Sequence, residues 1–155
     1  MIRLDIGSGS APLPGYQTVD PYIKTADYHD EMWNLCSFER NSVDEIFSSH
    51  ALEHIPQKMV IPTLLEWRRV LKPGAKLTLR VPDLEWCVNR WLKTKGTGWD
   101  MMVIFGNQAH DGEFHKTGFT EQILKMYLFT AGFRITKFER MFTHEQEPLS
   151  IEAEA

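Results

Sequence analysis

The stretch Arg3-Leu4-Asp5-Ile6-Gly7-Ser8-Gly9-Ser10 narrows the folds open to this chain more than any other. An apolar run of strand length stops at a carboxylate, and glycines follow one residue apart. Glycine at such a turn takes up positive φ and lets backbone N–H groups approach a ligand closely. A phosphate binder wants bare N–H groups there. A carboxylate suits a ligand that carries positive charge.

The rest of the chain falls into step with that turn. Ile2–Ile6 reads as a first strand, Ala11–Gly15 (Pro12, Pro14, Gly15) as a loop, and Tyr16–Val19 as a short second strand ending at Asp20. Asp27–Leu35 is irregular, and Val43–Ser49 alternates as a third strand. A helix follows with Val60, Ile61, Leu64, Leu65 and Leu71 on one face. Pro62 belongs in its first turn, so its regular part is expected from near Ile61, and Lys72-Pro73-Gly74 should end it. Lys76–Val81 alternates as a strand closed by Pro82. Leu84–Leu92 has helical spacing, with Leu84, Cys87, Val88, Trp91 and Leu92 on one side, and Trp99–Phe105 reads as a short helix. Gly106–Gly118 is a polar loop. Thr120 caps a helix over Glu121–Ala131, and Gly132 ends it. Phe133–Met141 and Leu149–Ala155 read as closing strands joined by a charged turn.

Strands alternating with helices make an α/β domain with a mainly parallel sheet. The last pair has a short connection and must run antiparallel. At 155 residues, 43% of them hydrophobic and 25% charged, the chain suits one domain, 1–155. A net charge of -4 argues against a nucleic-acid or membrane-surface partner. No apolar run approaches the ~20 residues of a membrane span. The first residues read as core strand rather than signal peptide, and Cys36 and Cys87 form no CxxC pair, so a cytoplasmic chain with reduced thiols is expected.

This order resembles class I S-adenosylmethionine-dependent methyltransferases, and more narrowly the small methyltransferases related to the type 11 group. The resemblance rests on Leu4-Asp5-Ile6-Gly7-Ser8-Gly9, Pro14-Gly15-Tyr16 with Val19-Asp20, Asn41–Ile46, and Ser49-His50-Ala51-Leu52-Glu53-His54. It continues through Glu66–Gly74, Val81-Pro82-Asp83-Leu84, Phe105–Gln108, His115–Phe119 and Ala131-Gly132-Phe133. It implies a Rossmann-like sheet of seven strands, mainly parallel, with an antiparallel C-terminal hairpin. Two departures stand out: Ala11-Pro12 replaces the usual third small residue of the glycine loop, and a short loop replaces the first linking helix.

The resemblance implies S-adenosyl-L-methionine as cofactor, a cationic ligand. Asp5 would orient the glycine loop and offset that charge. Gly7 and Gly9 would make room for the methionine portion, and Asp20 would accept the ribose hydroxyls. Asp30 would meet the adenine amino group, with Asp27 as its competitor, and Met32 would contact the ring. Trp33 is at adenine or in the core with equal weight. Ser49 and His50 would border the transferred methyl group. His50 is either a general base or a structural hydrogen-bonding group. His115 and His110, in the polar loop, are expected to touch substrate. His54 is expected to brace the next helix, and Trp86, Arg90 and Trp99 to pack.

His50-x-x-Glu53-His54 also spells an inverted zinc-protease motif. That motif needs one continuous helix, whereas a strand precedes it here and Pro56 follows, so no metal is expected; a divalent ion held by Glu53 and His54, as the resemblance to quinone O-methyltransferases implies, is the minor alternative. A nicotinamide-dependent oxidoreductase fits poorly, because Pro12 holds the place of its third glycine and Asp20 comes too early for its ribose acid. The remaining alternative is a binding module that keeps the cofactor fold without chemistry. A small-molecule or sugar acceptor is expected, as is a homodimer that covers a thinly clad sheet face.

Overall fold

The computed structural model describes residues 1–96, 98–141 and 148–155. The strands are β1 (Arg3–Ile6), β2 (Gln17–Val19), β3 (Val43–Ser49), β4 (Leu71–Pro82), β5 (Arg134–Arg140) and β6 (Pro148–Glu154). The helices are α1 (Gln57–Val70), α2 (Leu84–Thr94), α3 (Gly98–Phe105) and α4 (Glu121–Thr130), with 3-10 turns at Leu52–His54 and Asp111–Glu113. The charged turn expected before β6 lies outside the described residues. No helix among the described residues is long and apolar enough to cross a membrane.

The strands form one sheet in the order β2-β1-β3-β4-β6-β5. β2, β1, β3 and β4 run parallel, and β6 pairs antiparallel with both β4 and β5. The α/β class and the antiparallel hairpin are as read from the sequence, and the segment between β1 and β2 contains no helix. The strand count differs: the described residues form six strands, not seven. Beside β2 the chain makes only an isolated parallel bridge, Val19 to Tyr28. The segment that follows holds Asp27, Asp30 and Glu31, a polar run poor in the β-branched residues that would extend a strand.

Strand residues that bury toward both layers, among them Leu4, Ile6, Ile46, Leu77 and Leu79, meet Val60, Leu64, Trp67 and Val70 of α1 and Leu124 and Leu128 of α4. Burial of this α1 face explains two corrections. α1 starts at Gln57, a turn earlier than expected, and carries Pro62 inside it. The proline forfeits one backbone hydrogen bond, and the seating of Val60, Leu64 and Trp67 outweighs that loss. Helix α1 also ends earlier. Leu71 is already in β4 opposite Val43, and the register then jumps to Glu45 opposite Lys76, so Lys72-Pro73-Gly74 forms an outward loop within the strand. Gly74, at φ 76°, donates its N–H to the Ala155 carbonyl there. Leu65, assigned to the buried face, is 49% exposed. The apolar side expected of α2 is core only at Cys87, since Val88, Trp91 and Leu92 are exposed.

Candidate functional site

The strand order reverses between β1 and β3, so the chain opens a crevice at their carboxyl ends, where open α/β sheets bind ligands. A cavity of about 450 Å³ lies there, lined by Gly7, Gly9, Asp20, Met32, His50 and His110 among others. The two glycines serve different needs. A Cβ on Gly7, at φ 71°, would stand 2.3 Å from the Ala51 Cβ, so this glycine lets the end of β1 close on the turn after β3. A Cβ on Gly9, at φ 55°, would meet nothing within 4 Å. Its backbone faces open space.

Without a linking helix, carboxylates hold the glycine loop. Asp20, 7% exposed, accepts from Gly9 N–H through Oδ2 (3.0 Å) and from Tyr22 N–H through Oδ1 (2.9 Å). Asp5, 3% exposed, accepts from Leu13 N–H at 2.8 Å. Burial raises the Asp5 carboxyl above its ordinary value, the Leu13 N–H partly reverses this, and the nearby Asp20 charge adds to it. Asp5 and Ser49 line an adjoining pocket of about 430 Å³ with Phe47 and Pro12, not the main cavity.

The irregular segment after β2 sends its residues two ways. Glu31, Met32 and Trp33 line the cavity. The Trp67 indole N–H of α1 donates to the Met32 carbonyl at 2.8 Å and fixes this segment in place. Asp30 is not among the lining residues. Its carboxylate accepts from Ser37 N–H (2.8 Å), Ser37 Oγ (3.0 Å) and Cys36 Sγ (3.2 Å). Asp27 bonds back to Thr18 on β2.

His50 closes β3 at φ 54°, a left-handed conformation that a non-glycine residue seldom takes and that tends to mark functional turns. It lines both the main cavity and a second pocket of about 350 Å³, which also has Glu53, His54, Glu113 and His115 in its wall. His50 Nδ1 lies 3.4 Å from Glu53 Oε1. His115 sits 4.9 Å from the His54 ring, held there because Lys116 and Thr117 donate their N–H groups to the Glu53 carbonyl. Burial keeps His115 below the usual imidazole range, opposed by the Glu53 charge. His110 tilts against Tyr22 at 5.4 Å over the main cavity and accepts from Gly112 N–H through Nδ1.

The structure therefore gathers Gly7, Gly9, Asp20, Met32, His50 and His110 around one cavity and brings His115 to its neighbour. Sequence reasoning did not anticipate Glu31, Tyr22 or Lys116 in the wall, or the burial of Glu53. Only Glu53 carried a signal: an acid spaced between histidines at the end of a core strand.

Residues 16–79 match the model of a methyltransferase domain family. No curated protein sequence matches the chain. Among solved structures, a SAM-dependent methyltransferase from Methanosarcina mazei is similar at TM-score 0.67 and 22% identity, covering 98% of this chain and 91% of that one. The 1,6-didemethyltoxoflavin-N1-methyltransferase of Burkholderia thailandensis, solved with 1,6-didemethyltoxoflavin and S-adenosylhomocysteine, is similar at 0.70 and 16%, covering 99% and 70%. A SAM-dependent methyltransferase from Archaeoglobus fulgidus is similar at 0.65 and 14%, covering 99% and 85%. At these identities the likeness is one of fold.

Proposed function

We propose that this chain, a class I methyltransferase-fold protein of the type 11 group, binds S-adenosylmethionine in the cavity at the ends of β1 and β3 and methylates a small-molecule or glycan acceptor held in the pocket beside it. One observation carries the reading. The 450 Å³ cavity and the 350 Å³ pocket share His50, His54 and Glu113 as a common wall, so a donor and an acceptor can meet across that wall.

The residues fit the cofactor. The volume lies in the range of small-ligand sites. Open space at Gly9 admits a chain close to the backbone, and Asp20, Glu31 and Glu113 supply negative charge for a cationic ligand. Bound there, the cofactor supplies an electrophilic methyl on a sulfonium. Asp20 offers about four acceptor positions in all. It already accepts from the Gly9, Tyr22 and Ile23 N–H groups, which leaves about one position, on Oδ2, that would accept from a ribose hydroxyl. Tyr22 and His110 stack at the wall of the cavity. The shared wall of His50, His54 and Glu113 would hold an acceptor atom in line with that methyl, whose transfer would leave the neutral thioether S-adenosylhomocysteine. The proton lost by the acceptor passes to His50, whose imidazole lies between the two spaces.

Calorimetric titration with S-adenosylhomocysteine, S-adenosylmethionine and NAD tests the reading. Binding of the adenosyl ligands supports it, and binding of NAD alone overturns it. Release of S-adenosylhomocysteine in the presence of an acceptor panel separates an enzyme from a module that only binds. Sedimentation tests the proposed homodimer.

A further inference from the structure

We propose that Glu53, His54 and His115 form a binding site for a divalent transition-metal ion, of the kind that mixed imidazole and carboxylate ligands favour, with zinc as the first candidate. One donor atom from each of the three lies within 4.8 Å of the others. Donors on a tetrahedral zinc stand roughly 3.3–3.5 Å apart. A contraction of up to about 1.5 Å, within the reach of side-chain rotation, closes the set.

Two further observations point to an ion. The Glu53 side chain is 1% exposed, and neither of its carboxylate oxygens has a hydrogen-bond partner among the described residues. A buried carboxylate left so is costly, and coordination to a cation removes that cost. His54 is also arranged as metal-ligating histidines commonly are, with one ring nitrogen against a backbone carbonyl. His54 Nδ1 stands 3.3 Å from the Phe114 carbonyl. His50, with Nδ1 at 3.4 Å from Glu53 Oε1, borders the set without belonging to it.

The sequence pairs Glu53 with His54 but does not show the third member, because His115 comes from a loop sixty-one residues after His54 and is brought in by the backbone bonds of Lys116 and Thr117 to Glu53. Protein ligands on one side leave coordination positions facing the 350 Å³ pocket. On the transferase reading, an acceptor oxygen would join the ion there. The ion site itself does not depend on that reading.

The test is calorimetric titration of chelator-treated protein with zinc chloride, without cofactor, alongside visible absorption on titration with cobalt(II). One ion per chain is expected, with affinity falling about tenfold or more in His54→Ala and His115→Ala and unchanged in His29→Ala. Absence of saturable binding overturns the proposal. So does equal affinity in His54→Ala and His115→Ala chains that melt cooperatively. If those variants do not fold, imidazole nitrogen resonances of the unaltered chain decide: zinc must shift His54 and His115, and unshifted rings overturn the site. S-adenosylhomocysteine titrated into metal-free protein tests the cofactor reading separately.

Discussion

The backbone N–H of Gly9 donates to Asp20 Oδ2 at 3.0 Å and ties the end of β2 to the glycine loop after β1. The same carboxylate faces the cavity, so one side chain shapes the loop and meets the ligand. Asp20→Ala should weaken S-adenosylhomocysteine binding at least about tenfold, since a hydrogen bond to a charged group contributes about 1.5–3 kcal/mol. Asp20→Asn keeps an acceptor and should lose less. Calorimetry on both, with melting curves to confirm folding, checks this; unchanged affinity in a folded Asp20→Ala chain would sink the ribose role.

Gly7 and Gly9 look alike in sequence and should differ in cost. Both have positive φ, which costs an alanine about 1 kcal/mol. Gly7→Ala adds a collision with the Ala51 Cβ, and overpacking of that kind costs about 1–3 kcal/mol more. Gly9→Ala meets open space, so its stability loss should stay near the backbone figure while the methyl intrudes on the cavity. Urea unfolding should rank Gly7→Ala as the less stable. Ligand titration should show Gly9→Ala to be weakened beyond its small stability loss.

The glycine loop, the four parallel strands and the closing hairpin were legible because each has a local cause: turn glycines, alternation, and a connection too short for a parallel crossover. What lay hidden depended on partners far along the chain. Pro62 pointed to a later start for α1, and only the burial of Val60, Leu64 and Trp67 reverses that local preference. Asp30 and Glu31 are neighbours with similar side chains, yet Glu31 lines the cavity while Asp30 turns to Ser37. Register in an irregular segment cannot be read from residue type. The meeting of Glu53 with His115 likewise comes from loop hydrogen bonds to a backbone carbonyl, which leave no mark on spacing.

The two thiols should react very differently. Cys87 is buried, and burial, with the Asp83 charge as the next cause, pushes its thiol up to about 11. Cys36 is exposed, but its thiol donates to Asp30 and is raised by that bond. In the folded protein at pH 8, an aromatic disulfide reagent should label Cys36 alone, more slowly than a free exposed thiol. Asp30→Asn should speed that labelling, and Cys87 should react only on unfolding. Equal labelling of both thiols in the folded chain would contradict the structure.

Glu66 gives the fold a defined acid sensitivity. Arg69 lowers its carboxyl below the ordinary glutamate value through a two-bonded pair at 2.7 Å, opposed by burial and aided by the Leu35 N–H. Arg69 also donates to the Leu35 and Phe38 carbonyls, so the pair staples the segment after the cavity lining to α1. Because the folded value is depressed, the stabilisation is complete above the unfolded value of 4.5 and is lost as pH falls through the lower, folded one. Urea midpoints measured from pH 7 down to pH 3 should therefore decline below about pH 4.5. Glu66→Gln should be less stable at neutral pH and decline less steeply over that range. Since Trp33 lines the cavity two residues before Leu35, acid release of this segment should also lower ligand affinity, and an acid-insensitive affinity would show that the staple does not reach the site.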